Sequence, residues 1–176
     1  MNVRACDVCS IRQRAEFDAL VALAHRCFSA GTARGVLAGR TLCGPHLYAM
    51  SRIASPGTLA LLLIELLQRP PGDPAPPGPC PVCGSVRAAE TEELTRLPGR
   101  AEPLVCSEHL RALRLAASSA EVVSRAEGSF IKRTADLLRV LRSQAGNHPR
   151  DEDLARAIRL CVGCPNLADY DHDGVQ

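Results

Sequence analysis

The sequence predicts an all-α protein, and three observations predict it. Apolar residues recur at three- and four-residue spacing, as in Phe17, Leu20, Ala24 and Phe28. Runs that alternate with the period of a strand are nearly absent. Helix punctuation is frequent, and Cys43-Gly44-Pro45, Ser55-Pro56 and Asn147-His148-Pro149 each stand where a helical stripe begins or ends.

Composition narrows the class. Of 176 residues 46% are apolar, but only 3% are aromatic and none is Trp, so the core must come from Leu, Ala and Val. Lys132 is the one lysine, and the formal net charge of +2 makes no global case for nucleic acid or a membrane surface. The longest apolar stretch, Leu59 to Leu67, is about half a bilayer span and contains Glu65. It reads as a helix buried on most sides.

The elements run in order along the chain. Residues 11–28 form a first helix, with Arg12, Glu16 and Arg26 off its apolar stripe, and Ala30-Gly31-Thr32 ends it. Residues 34–40 make a short helical turn. Cys43-Gly44-Pro45-His46 opens the next helix, because proline suits a first turn. Ser55-Pro56-Gly57-Thr58 separates it from an apolar helix that runs to about Gln68. Residues 69–79, rich in Pro, form a stiff linker. A helix over 84–97 precedes a Pro98-Gly99 turn, and Ser107 is the natural cap of the next helix. From Glu108 to Gln144 there is no proline, so this stretch either breaks near Gly128-Ser129 or projects toward a partner. A last short helix runs from Asp151 to Cys161.

One metal-ligand pattern occurs twice in this framework. Cys6-Asp7-Val8-Cys9 is answered by Cys43-Gly44-Pro45-His46, and Cys80-Pro81-Val82-Cys83 by Cys106-Ser107-Glu108-His109. Each set supplies three thiolates and one imidazole, the complement of a closed tetrahedral zinc site. The residues behind each second half also run parallel, His46-Leu47-Tyr48-Ala49-Met50 beside His109-Leu110-Arg111-Ala112-Leu113. The spacing predicts two zinc ions per chain, each closed within its own half: Cys6, Cys9, Cys43 and His46 for one, Cys80, Cys83, Cys106 and His109 for the other. His46 and His109 should lie one helical turn past Cys43 and Cys106. The domains implied are a first zinc half over 1–68, the linker over 69–79, a second zinc half with the long helix over 80–146, and a short helix with a third CxxC and an acidic tail over 147–176. An iron–sulfur cluster is the lesser reading of the same donors.

Thr41-Leu42-Cys43-Gly44-Pro45-His46-Leu47 and Cys80-Pro81-Val82-Cys83 resemble the motifs of an uncharacterised prokaryotic family of zinc-site proteins, which carry two CxxC…CxxH halves in a largely helical chain. The resemblance covers Cys6 to Leu113. It implies the ligands already named and brings no reaction with it. Asp7, where that family often carries Pro, and the third CxxC depart from the pattern.

The remaining signals are weaker. Cys161-Val162-Gly163-Cys164 lacks a CxxH partner and sits at a helix C-terminus, whereas a redox pair uses the N-terminus; it reads first as plain thiols, with a third metal site using His148 or His172, or a disulfide or partner-supplied site, as the alternatives. Asp169 to Gly174 copies the start of an EF-hand loop without its closing Glu. Cys27 reads as a core thiol and His25 as a surface residue. There is no phosphate-binding loop, catalytic triad or nucleophile elbow. With no apolar leader before Cys6 the cysteines read as reduced metal ligands, and the expected location is cytoplasmic. The expected function is a non-enzymatic interaction module or accessory subunit that binds a protein partner or forms a homodimer. A nucleic-acid-binding regulator using Arg111, Arg114, Arg125, Lys132 and Arg133 is less favoured, and a thiol redox or metal sensor using Cys161 and Cys164 is a further alternative.

Overall fold

The computed structural model describes residues 6–37, 40–68, 80–116, 119–144 and 150–162. Among them it contains no strand. The helices are α1 (Asp7–Ala30), α2 (Arg34–Leu37), α3 (Gly44–Ile53), α4 (Pro56–Leu67), α5 (Pro81–Arg96), α6 (Ser107–Leu115), α7 (Ala120–Gln144) and α8 (Asp151–Val162), with a 3-10 turn at Leu97–Gly99. The fold is therefore all-α. The stretch 69–79, read as a linker, lies outside the described residues.

Two compact units divide the described residues, one continuous and one made of two separate stretches. An inner unit runs from Arg12 to Ala89, and a flanking unit joins residues 6–11 to the described residues between Glu90 and Val162. Helices α1 and α5 each contribute to both.

In the inner unit the core joins Leu20, Leu23 and Cys27 of α1, Ala33, Leu37 and Leu42 around α2, Ala49 and Met50 of α3, Leu62 of α4, and Val82 and Val86 of α5. No Phe or Tyr is buried among the described residues, as the composition implied. The buried face of α1 is Glu16, Leu20, Leu23 and Cys27, rotated from the expected stripe, and Phe17 and Phe28 are exposed. What turns the helix is Glu16, which is fully buried against His46. Gly31 ends α1 with φ +62°, a left-handed conformation suited to glycine after a helix. Ser55 caps α4, its hydroxyl accepting the Thr58 amide at 3.2 Å. That helix buries Thr58 and Leu62, but Leu63, Ile64 and Leu67 are 39%, 50% and 82% exposed. It is half-covered rather than enclosed.

In the flanking unit α6, α7 and α8 pack on one another. Leu97, Val105, Leu110, Leu113 and Ala126 form the core with Cys6, Val8, Cys9 and Cys106, and Leu94 and Phe130 pack against it. The proline-free stretch does break, but after α6 ends at Leu115 rather than at Gly128, and the Ser119 carbonyl and hydroxyl begin α7 by accepting the Val122 amide at 3.0 and 3.4 Å. Ser107 is the first residue of α6, and Cys106 is its cap.

Gly128 stays inside α7, and a Cβ there would meet nothing within 4 Å. Glycine in a helix interior costs roughly 0.5–1 kcal/mol relative to alanine. Gly128→Ala is therefore expected to raise the urea midpoint with an unchanged slope. An unchanged or lowered midpoint would show that this position is not an open helical one.

Candidate metal centres

All four ligand pairs share one local build. Cys6, Cys43, Cys80 and Cys106 each stand immediately before a helix, and Cys9, His46, Cys83 and His109 lie three residues further on in its first turn. The first cysteine of each pair accepts the opening helical hydrogen bond through its carbonyl: from Ser10 at 3.1 Å, Leu47 at 2.9 Å, Gly84 at 3.0 Å and Leu110 at 2.9 Å. Cap and third-position side chains leave a helix start in the same direction, so one ion can reach both. Free amides and the positive end of the helix dipole favour thiolate there.

The pairs meet in a nested order along the chain. Cys6 and Cys9 converge with Cys106 and His109 in the flanking unit; Cys80 and Cys83 converge with Cys43 and His46 in the inner unit, and within each set the ligand atoms lie within 4.8 Å of one another. This corrects the expectation that each half closes its own ion. Any CxxC can geometrically serve any CxxH, and sequence order does not decide which pair the fold brings near.

The distances fit a single ion. In the flanking centre His109 Nδ1 lies 3.5 Å from the Sγ atoms of Cys6 and Cys9 and 3.2 Å from that of Cys106, with 3.8 Å between the Cys9 and Cys106 sulfurs. In the inner centre His46 Nδ1 lies 3.0, 3.5 and 3.4 Å from Cys43, Cys80 and Cys83, and the Cys43 and Cys83 sulfurs are 3.7 Å apart. Tetrahedral bonds of about 2.3 Å to sulfur and about 2.0 Å to nitrogen give edges of about 3.8 and 3.5 Å. A disulfide would need about 2.05 Å, and the described cysteines are all free.

The protonation chemistry agrees with such a donor set. The Cys80 thiol and then the Glu16 carboxylate push the His46 pKa up to about 11. Burial works against His109, but the Cys106 and Cys6 sulfurs outweigh it and raise its pKa to about 10. Cys80 is lowered to about 6, because the His46 ring and nearby amides overcome its burial. Cys106 is pulled down by hydrogen bonds from Cys6 and Cys9, and Cys6 is pushed up by its hydrogen bonds to Cys106 and Cys9. Metal-free, each centre thus pairs thiolate with imidazolium, and a cation displaces the imidazole proton.

Sequence reading missed the groups behind the ligands. Glu16, on α1, lies 3.1 Å from His46 Nε2. Glu90, on α5, lies 3.3 Å from His109 Nε2, out of line for a hydrogen bond. A carboxylate behind a ligating imidazole orients the ring and raises its basicity. The signal was present, since Glu16 follows Cys9 by seven residues and Glu90 follows Cys83 by seven. Asp7, inside the first CxxC, has a structural role. Its amide donates to the Leu104 carbonyl at 2.7 Å, its carboxylate accepts the Leu104 amide at 3.0 Å, and Arg100 Nη1 lies 3.2 Å away. Arg100 also pairs with the buried Glu93. These bonds hold the extended approach to Cys106 beside the first CxxC. Half-buried Arg133 donates to the Val105 carbonyl at 3.5 Å; burial lowers its pKa, against the pull of Cys6, Asp7 and Cys106.

The other candidates separate. Cys27 is buried in the inner core, where desolvation raises its pKa, and His25 is exposed. Cys161 is exposed in the last turn of α8, and its carbonyl accepts a hydrogen bond from Ser107. Cys164, His148, His172 and the acidic stretch 169–174 lie outside the described residues. Arg114 pairs with Glu127 at 2.8 Å and Arg125 donates to the Pro98 carbonyl at 3.0 Å.

The four ligands of the flanking centre are all buried, whereas Cys43 and Cys83 of the inner one are partly exposed. A competing chelator or thiol reagent is expected to strip the inner centre first, read by mass spectrometry of alkylated peptides containing Cys43 and Cys83. Simultaneous loss from both centres would contradict it. Glu16→Ala should weaken metal binding at the inner centre by about 10–100-fold, as measured by chelator competition, and leave the flanking centre unchanged. Asp7→Ala should cost about 1–3 kcal/mol of stability, because the Leu104 amide loses its acceptor; denaturant titration of the metal-loaded protein checks this.

No protein family, curated protein or solved structure was found that matches this chain.

Proposed function

We propose that this chain is a zinc-stapled helical interaction module without catalytic activity. The observation that carries the reading is the pair of four-ligand centres, each with three sulfurs and one Nδ1 at the edges of a mononuclear tetrahedron. Sulfur and imidazole donors in that geometry select zinc over the hard cations, and a multi-iron cluster would hold its thiolates farther apart. Four protein ligands leave no open position for a reacting water or substrate, so the metal serves folding. Free thiols at ligand positions suit a reducing compartment, and a cytoplasmic location is the consistent assignment. Among the described residues no helix is long and apolar enough to cross a membrane.

The interaction role rests on α4. Ala60, Leu63, Ile64 and Leu67 form an exposed apolar stripe at helical spacing, the pattern by which a helix lies in a groove of another polypeptide. The partner is a second copy of the chain or another protein. The nucleic-acid reading draws less support, since Arg114 is paired with Glu127 and Arg125 and Arg133 donate to backbone carbonyls.

Purified protein is expected to carry about two zinc ions per chain. Cys6→Ala and Cys106→Ala should each remove the same ion, so that their combination still retains about one, while Cys6→Ala with Cys43→Ala retains none. Elemental analysis finding iron, or additive loss in the first combination, defeats the assignment. Leu63→Asp should leave zinc content and helicity intact while abolishing self-association in sedimentation or retention of a partner from the native host. If wild-type and variant behave alike in both, the interaction reading fails.

A further inference from the structure

A cavity of about 390 Å3 in the flanking unit lies between the 101–104 segment and one face of α7. Small-molecule sites begin at roughly this size. Arg125, Lys132 and Arg133 line it together with Glu102 and Asp136, and Gly128 stands on α7 between Arg125 and Lys132. The absence of a side chain at Gly128 keeps the middle of the cavity open, since a Cβ there would meet nothing within 4 Å. A cation thus stands one helical turn before the opening and two more stand one turn after it.

Two of these cations, Arg125 and Lys132, carry no ion pair among the described residues. The one hydrogen bond of Arg125 among the described residues goes to the Pro98 carbonyl, which fixes the guanidinium but leaves its charge unpaired. Lys132 has no ion-pair partner among the described residues, whereas Asp136 is already paired with Arg139 at 3.2 Å. Two unpaired cations facing one opening match a doubly charged tetrahedral anion, which takes donors from both sides. Glu102 is the opposing feature. An unpaired carboxylate at the rim repels a chain of backbone phosphates but accepts hydrogen bonds from hydroxyl groups. No aromatic residue lines the cavity, so nothing is there to stack a base.

We infer that this cavity is a binding site for a small phosphorylated sugar or polyol, with the phosphate over Gly128 between Arg125 and Lys132 and the hydroxyl end toward Glu102. The site is independent of the zinc assignment.

The test is calorimetric titration of the full-length, metal-loaded protein in phosphate-free buffer, with ribose 5-phosphate, ribose, inorganic phosphate and a single-stranded RNA dodecamer as probes. Ribose 5-phosphate should bind saturably, inorganic phosphate more weakly and ribose not at all. Lys132→Gln and Arg125→Gln should each weaken ribose 5-phosphate roughly tenfold, the loss of one charge-assisted contact. Gly128→Leu should abolish binding with metal content unchanged. Lys132→Gln changes only an exposed side chain, so it reports even if the leucine variant misfolds. Failure of ribose 5-phosphate to bind, or binding indifferent to Lys132→Gln, overturns the site. Tighter binding of the RNA by a Lys132-dependent contact overturns the small-ligand assignment, and inorganic phosphate binding as well as the sugar phosphate overturns the role of Glu102.

Discussion

Three sulfurs and an imidazole gathered at one point, twice, are the constraint on which the rest of the structure depends. Burying three sulfurs as thiolates beside one imidazole is unfavourable unless something cationic compensates their negative charge. The surrounding cores offer little surplus to absorb that cost. Both units are small, and their buried side chains are mostly Leu, Val and Ala with no aromatic among the described residues. Small domains of this kind depend on staples because their apolar burial barely exceeds their conformational entropy. Each ligand pair is itself cheap to form, because helix initiation alone sets its geometry. The cost lies in bringing two helix starts together, and a bound cation offsets it.

Support behind the ligands is distributed in a regular way. Helix α1 gives its CxxC to the flanking centre and Glu16 to the inner one; α5 gives its CxxC to the inner centre and Glu90 to the flanking one. Each helix is therefore held at both centres by polar contacts as well as by its apolar face. The copies differ in detail. Glu16 is aligned with its histidine and Glu90 is not, and Asp7 has Pro81 at the matching place in the second copy. Proline there cannot donate the amide that Asp7 gives to Leu104, so only the first CxxC is docked in this manner.

The sequence made the helices and all eight ligand residues legible, because both are written in short-range spacing. It hid the pairing, because the preference of Cys6 and Cys9 for Cys106 over Cys43 rests on contacts such as Asp7 to Leu104, across 97 residues. Glu16 is hidden for a related reason. A carboxylate looks like a surface residue until its partner, thirty positions away, is known. The apolar spacing then draws the face of α1 through Phe17 and Phe28, which the fold leaves exposed. The break before α7 escapes a sequence reading because glycine is the louder signal, yet Gly128 is accommodated within the helix and Ser119 supplies the cap.

The centres are nested along the chain like brackets, and this imposes an order on synthesis. The inner set spans Cys43 to Cys83, so all its ligands are synthesised before α6 and α7 are translated. Cys6 and Cys9 emerge first of all but must wait until His109 has been made. Closing the gap from Cys9 to Cys106 spans 97 residues, against 34 from His46 to Cys80, which adds about 1 kcal/mol of loop entropy if nothing intervenes. Prior closure of the inner set shortens the effective loop and removes part of that difference. During the interval the leading CxxC is an unsatisfied thiol pair on a nascent chain, chemically competent to take either CxxH. The exposed wait of Cys6 and Cys9 is thus the step at which the two brackets can be mismatched.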